Sequence, residues 1–140
     1  LTNLLAFDVS SNQLKILPDT IGQLTNLRKI DVTSNCLTTL PNTIGQLTNL
    51  RELFIGNNQF TTVPNCVRQL TKLHTLVANS NQLTTIPDGI GQLTNLRIFD
   101  ISENHIKTLP DSINQLLNLK LISKLVLDCI FYLQLKHFQD

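Results

Sequence analysis

Apolar positions along this chain return at a fixed period. The string "QLTNL", or a near copy, recurs, and its leading leucines are Leu1, Leu24, Leu47, Leu70, Leu93 and Leu116. Each stands 23 residues after the last. Five units stack at that period: "LTNLLAFDVSSNQLKILPDTIGQ", "LTNLRKIDVTSNCLTTLPNTIGQ", "LTNLRELFIGNNQFTTVPNCVRQ", "LTKLHTLVANSNQLTTIPDGIGQ" and "LTNLRIFDISENHIKTLPDSINQ". They cover Leu1 to Gln115. Repetition at roughly 20–50 residues marks a chain of small elements stacked on one another. No such element buries its apolar face alone, so each depends on its neighbours.

Within a unit the pattern predicts three local structures. Apolar residues at unit positions seven and nine alternate with polar ones, as in a short strand. They are Phe7/Val9, Ile30/Val32, Leu53/Ile55, Leu76/Ala78 and Phe99/Ile101. An asparagine follows in every unit: Asn12, Asn35, Asn58, Asn81 and Asn104. Its short amide is suited to bonding the backbone where the chain turns out of the strand. Stacked copies predict a ladder that satisfies buried backbone groups. Leu14, Leu37, Phe60, Leu83 and Ile106 are then expected to point inward. Pro18, Pro41, Pro64, Pro87 and Pro110 follow. Proline lacks an N–H and has a fixed φ, which suits the first position of a helical turn. Ile21, Ile44, Val67, Ile90 and Ile113 come three residues later, on the same face of that turn. Gly22, Gly45 and Gly91 are expected to let the turn stop, while Arg68 and Asn114 hold that position elsewhere.

The consensus "LxxLxxLxVxxNxLxxLPxxIGQ" resembles the leucine-rich repeat family, and specifically its 23-residue intracellular class. That class is similar to the Ras-group repeat proteins, the LAP scaffolds and the repeat domains of Roco proteins. The resemblance covers about four-fifths of the chain. It implies an α/β fold, a horseshoe-shaped solenoid with a concave parallel β-sheet and short helical turns on the convex side. It also implies that ligands dock on the concave sheet.

Both ends depart from the pattern. Leu1, Leu4 and Phe7 have no preceding unit, and an unpaired first strand leaves an open sheet edge. More repeats or a cap are therefore expected ahead of Leu1. Residues 116–140 read as a degenerate sixth repeat or a C-terminal cap. Leu116, Asn118 and Leu119 begin it correctly, but Lys124, Leu127 and Leu133 then break the apolar, asparagine and proline columns. This segment is apolar on nearly every face, yet Lys120, Lys124 and Asp128 interrupt it, which argues against a membrane span. Three readings stay open: a capping helix, residues foreign to the fold from a misread exon boundary, or a partner-binding or membrane-surface helix.

Candidate binding residues come from strand positions that point away from the core. Position eight runs Asp8, Asp31, Phe54, Val77, Asp100, so two apolar residues interrupt a column of aspartates. With Ile98 nearby, Phe54 and Val77 predict a small apolar patch at the centre of the concave face, a common mark of a binding site. Scattered surface hydrophobics are the alternative. Position five runs Leu5, Arg28, Arg51, His74, Arg97. This stripe either steers an acidic partner surface or is a solvated edge whose arginines pair with Glu52 and neighbouring aspartates. Asp31 and Asp100 flank the apolar pair and complete the candidate surface.

Composition then narrows the function. A hydrophobic share of 41% with 15% charged residues argues against disorder. A net charge of +1 supplies no field to attract nucleic acid or an anionic membrane. The three cysteines, Cys36, Cys66 and Cys129, form no metal-ligand cluster, and no Asn-x-Ser/Thr sequon occurs. Both facts lean toward a reducing, cytoplasmic setting. His74, His105 and His137 fall in unrelated columns, so no metal site is expected. No phosphate-binding glycine loop or nucleophile motif is present, and a repeat array offers an open surface rather than a catalytic pocket. No catalytic residue, cofactor, nucleic acid or small-molecule substrate is expected. The favoured reading is a protein-binding module of an intracellular signalling scaffold. Alternatives are a regulatory segment of a larger kinase, GTPase or cyclase, and an extracellular pattern-recognition domain.

Overall fold

Alternation of apolar and polar residues produces one three-residue strand in each repeat. The computed structural model describes residues 3–122. The expectations placed on Leu1 and on Lys124, Leu127, Asp128, Cys129, Leu133 and His137 lie outside the described residues. The strands are β1 (Ala6–Asp8), β2 (Lys29–Asp31), β3 (Glu52–Phe54), β4 (Thr75–Val77), β5 (Ile98–Asp100) and β6 (Leu121–Ile122). They form one six-stranded sheet in sequence order, with every neighbouring pair parallel. Equivalent positions lie side by side, so Phe7, Ile30, Leu53, Leu76 and Phe99 share a row. Parallel strands need a crossover between them, and here each crossover carries a single 3-10 helix. These helices are Asp19–Gln23, Asn42–Gln46, Asn65–Gln69, Asp88–Gln92 and Asp111–Gln115.

The core lies between the sheet and the row of 3-10 helices. Ile30, Val32, Leu37, Leu53, Ile55, Phe60 and Leu76 are fully buried there. Their counterparts Phe7, Val9 and Leu14 are only partly buried, because no described residue stacks on the outer edge of β1.

Two local expectations are corrected. The prolines do not occupy the first helical position. Pro18 to Pro110 sit one residue earlier, as N-caps with φ between −72° and −58° and extended ψ. Their carbonyls accept the N–H three residues on, as in Ile21 N to Pro18 O at 3.1 Å. The fixed φ is used to enter the turn, and the carbonyl to close it.

The glycines expected to let the turn stop lie within it, and no described glycine has positive φ. They let adjacent 3-10 helices approach. A Cβ on Gly22 would lie 2.5 Å from Thr43 Cβ, and one on Gly91 would lie 2.8 Å from Ser112 Cβ. Where the third repeat has Arg68 instead, the fourth has Gly89 facing it. A Cβ on Gly89 would lie 3.0 Å from Arg68 Cβ and 3.1 Å from its Cδ. Gly89→Thr should therefore cost about 1–2 kcal/mol through overpacking. Adding Arg68→Gly recreates the Gly22/Thr43 combination and should recover most of that loss in urea unfolding. Additive losses in the double variant would show that the two positions do not share the space.

Candidate binding surface

The ladder asparagines fix the sheet on which the surface is built. Asn58 donates to Val32 O at 3.0 Å, Ile55 O at 3.2 Å and Gly56 O at 3.0 Å. Its Oδ1 accepts Leu37 N–H at 3.0 Å. Asn35, Asn81 and Asn104 repeat this arrangement, each joining its own repeat to the one before. Asn12 is exposed, and among the described residues its side chain bonds Val9 O and Ser10 O of its own repeat. The residue ahead of each ladder asparagine is left-handed: Ser11, Ser34, Asn57, Ser80 and Glu103 have φ of 50–57°.

A second ladder joins the same repeats at unit position three. Asn49 donates to Thr25 O at 3.1 Å, Asn95 to Thr71 O at 2.8 Å, and Asn118 to Thr94 O at 2.9 Å. The recurrence of "LTN" was the available signal. Lys72 replaces this asparagine in the fourth repeat, and its Nζ donates to Asn49 Oδ1 at 2.9 Å instead.

On the outward face of the sheet, Asp31, Phe54, Val77 and Asp100 stand side by side across β2 to β5. Glu52, Thr75 and Ile98 form the adjacent row. Phe54, Val77, Ile98, Glu52, Asp31 and Asp100 are all partly exposed. Lys29 Nζ lies 5.0 Å from the centroid of the Phe54 ring, a cation–π distance, so the ring is bounded by a charge on one side. Thr75, between Glu52 and Ile98 in that row, is buried, with its hydroxyl 3.0 Å from His74 Nδ1. The apolar patch is thus built by Phe54, Val77 and Ile98 around a buried threonine.

The aspartates of this column have a structural duty that the two apolar residues cannot perform. Asp8 Oδ1 accepts Ser10 N–H at 2.9 Å and Ser10 Oγ–H at 2.7 Å. Asp31 accepts Thr33 N–H at 3.1 Å, and Asp100 accepts Ser102 N–H at 2.9 Å. Each carboxylate caps its own strand end. Phe54 and Val77 forgo that bond in the two central repeats.

The capping bonds hold Asp8 below the usual carboxylate range: first the Ser10 amide, then its hydroxyl, with Lys29 adding a smaller pull. Such a group stabilises the fold above its ordinary pKa, and loses that contribution as pH falls through its lowered value. Asp8→Ala should therefore flatten the acid limb of a stability-versus-pH curve measured by urea unfolding.

The position-five stripe follows the strand edge. Arg51 N donates to Arg28 O at 2.8 Å, His74 N to Arg51 O at 2.9 Å, and Arg97 N to His74 O at 2.9 Å. Arg28, Arg51 and Arg97 are exposed and His74 is half-buried. The expected pairing of these arginines with Glu52 and neighbouring aspartates is not found among the described residues. Arg51, Lys72, His74, Asn95 and Arg97 line an open cleft of about 400 Å³. Cys66 is buried, and burial pushes its thiol pKa up, the opposite of what a nucleophile needs. Among the described residues no group of three acidic, histidine or cysteine side chains is placed to hold a metal, and no helix is long and apolar enough to cross a membrane.

Comparison with known proteins decides the family. A family profile described as leucine rich repeat matches residues 25–83, and one described as leucine rich repeats in two copies matches residues 71–118. The chain belongs to the leucine-rich repeat family. Members of this family generally mediate protein–protein interaction and are typically non-enzymatic binding modules. No curated protein sequence matches the chain. Among solved structures it is similar to a leucine-rich repeat protein of Leptospira interrogans, with 34% identity and a TM-score of 0.85 over 96% of this chain. It is also similar to the leucine-rich repeat ectodomain of a plant membrane receptor kinase from Arabidopsis thaliana, in complex with Casparian strip integrity factor 2. There the identity is 34% and the TM-score 0.76 over 84% of the chain. An internalin from Listeria monocytogenes gives 25% identity and a TM-score of 0.75, again over 84%. The chain spans 36%, 15% and 33% of those three proteins, respectively.

Proposed function

We propose that this leucine-rich repeat array binds a partner protein on its concave sheet, centred on Phe54, Val77 and Ile98. One observation carries the reading. The two central repeats give up a strand-capping carboxylate and place partly exposed apolar side chains there instead. A bond that the array uses in its first, second and fifth repeats is surrendered where a binding site would lie. Arg28, Arg51, His74 and Arg97, with Glu52, Asp31 and Asp100, form a polar border around that centre, the usual anatomy of an interface. The reading assigns no enzymatic role, cofactor, nucleic acid or small-molecule substrate to these residues.

The setting we propose is an intracellular signalling scaffold. Cys36 and Cys66 are free thiols, which supports a reducing compartment. The likeness to a plant receptor ectodomain supports a second reading, an extracellular recognition array or the sensing part of a larger receptor kinase. A pull-down with the wild-type chain and the Phe54→Asp/Val77→Asp variant tests the surface in either setting. A protein held by wild type alone supports the concave site. Equal capture by both removes it.

A further inference from the structure

We infer that the cleft lined by Arg51, Lys72, His74 and Arg97 receives an acidic segment of the partner protein, a refinement that rests on the concave-face reading above. Three observations converge on it. First, three cations, Arg51, Lys72 and Arg97, border with His74 one cleft of about 400 Å³ with no carboxylate on its lining. Like charges gathered without internal counterions leave a local positive potential that an anionic ligand would neutralise.

Second, Lys72 stands where other repeats carry a structural asparagine. Asn49, Asn95 and Asn118 bond a threonine carbonyl of the preceding repeat. Lys72 forgoes that bond and adds a cation to the cleft, with only the Asn49 amide oxygen as partner. As with Phe54 and Val77, a repeat-stabilising contact has been given up at a surface position, and on the same two repeats.

Third, the geometry suits a row of anions better than a single one. Arg51, His74 and Arg97 immediately precede the parallel strands β3, β4 and β5 and are linked by backbone hydrogen bonds, and neighbouring strands lie about 4.7–4.9 Å apart. Their backbones run side by side, so the Arg51 and Arg97 guanidinium groups are spaced along the stack with His74 between them. A segment with several glutamates or aspartates matches such a row, and guanidinium groups hold carboxylates through paired N–H donors. The cleft adjoins the sheet row that holds Glu52, Thr75 and Ile98, so one partner can fill both sites.

A fluorescein-labelled octaglutamate peptide tests the cleft on the full chain. It has no apolar side chain, so its binding does not depend on the Phe54/Val77 patch. The expected result is saturable, salt-sensitive binding by fluorescence anisotropy. Lys72→Asn, which restores the repeat's own residue, should weaken it about fivefold, and Arg51→Ala/Arg97→Ala about twentyfold or more. A Lys15→Ala/Lys107→Ala control, which removes two cations away from the cleft lining, should leave it within twofold. Absence of saturable binding, or equal loss in the lysine control, would overturn the proposal. Stronger competition by inorganic pyrophosphate than by unlabelled peptide at equal charge would also overturn it, assigning the cleft to phosphate. Loss with the cleft variants but not the lysine control would uphold the cleft even if the apolar site fails.

Discussion

Asn58→Asp is expected to unfold the array at far lower urea than wild type, with a loss of about 3–5 kcal/mol. The side-chain nitrogen of Asn58 is the donor to three backbone carbonyls, in a buried site. Aspartate puts an oxygen there. Three hydrogen bonds vanish, and a carboxylate faces Val32 O, Ile55 O and Gly56 O with no cation beside it. An uncompensated buried charge costs several kcal/mol, and each orphaned buried polar group costs about 1–3. Whole domains are stable by only about 5–15 kcal/mol, so this single atom exchange consumes much of the margin. Asn12→Asp is the control. Asn12 is exposed and bridges no earlier repeat, so its replacement should cost under about 1 kcal/mol. Circular dichroism during urea unfolding reads both. Equal, small effects would show that the ladder does not hold the repeats together.

The second large effect concerns binding, and it runs opposite to stability. Phe54→Asp and Val77→Asp should each leave the unfolding free energy, measured in urea, within about 0.5 kcal/mol of wild type. Each new carboxylate is placed to accept the amide two residues on, from Gly56 or Asn79, as Asp31 does from Thr33. That bond offsets the lost contact between Lys29 and the Phe54 ring. Partner affinity should fall sharply. Burying a large apolar side chain contributes about 1.5–3 kcal/mol, and placing a charge in its position adds a desolvation penalty. The double variant should bind at least about a hundredfold more weakly.

The sequence carried the fold because the chain repeats itself five times. Each column could be compared with its copies, and an apolar position held in every copy is a core position. The asparagine column was legible for the same reason. Proline and glycine were harder. Their chemistry restricts φ and size, but the sequence does not say which restriction is in use. At Pro18 the carbonyl matters as much as the ring, and at Gly22 the missing Cβ matters rather than the permissive backbone. The surface was legible in part. Phe54 and Val77 broke a column of aspartates, which flagged them. That those aspartates cap their strands required the hydrogen bonds. Lys72 is hard to read from sequence because the recurrent "LTN" asparagine shows no role there, and the cleft it completes joins unit positions three and five across three repeats. Thr75 shows the converse: it shares a row with the partly exposed Glu52 and Ile98, yet it is buried with its hydroxyl against His74 Nδ1.

The most direct measurement is the dissociation constant of the captured partner for wild type and for Phe54→Asp/Val77→Asp, by titration calorimetry on chains of matched urea stability. The account predicts at least a hundredfold weaker binding with the fold intact. An unchanged constant at equal stability would contradict it and move the binding surface away from the centre of the concave sheet.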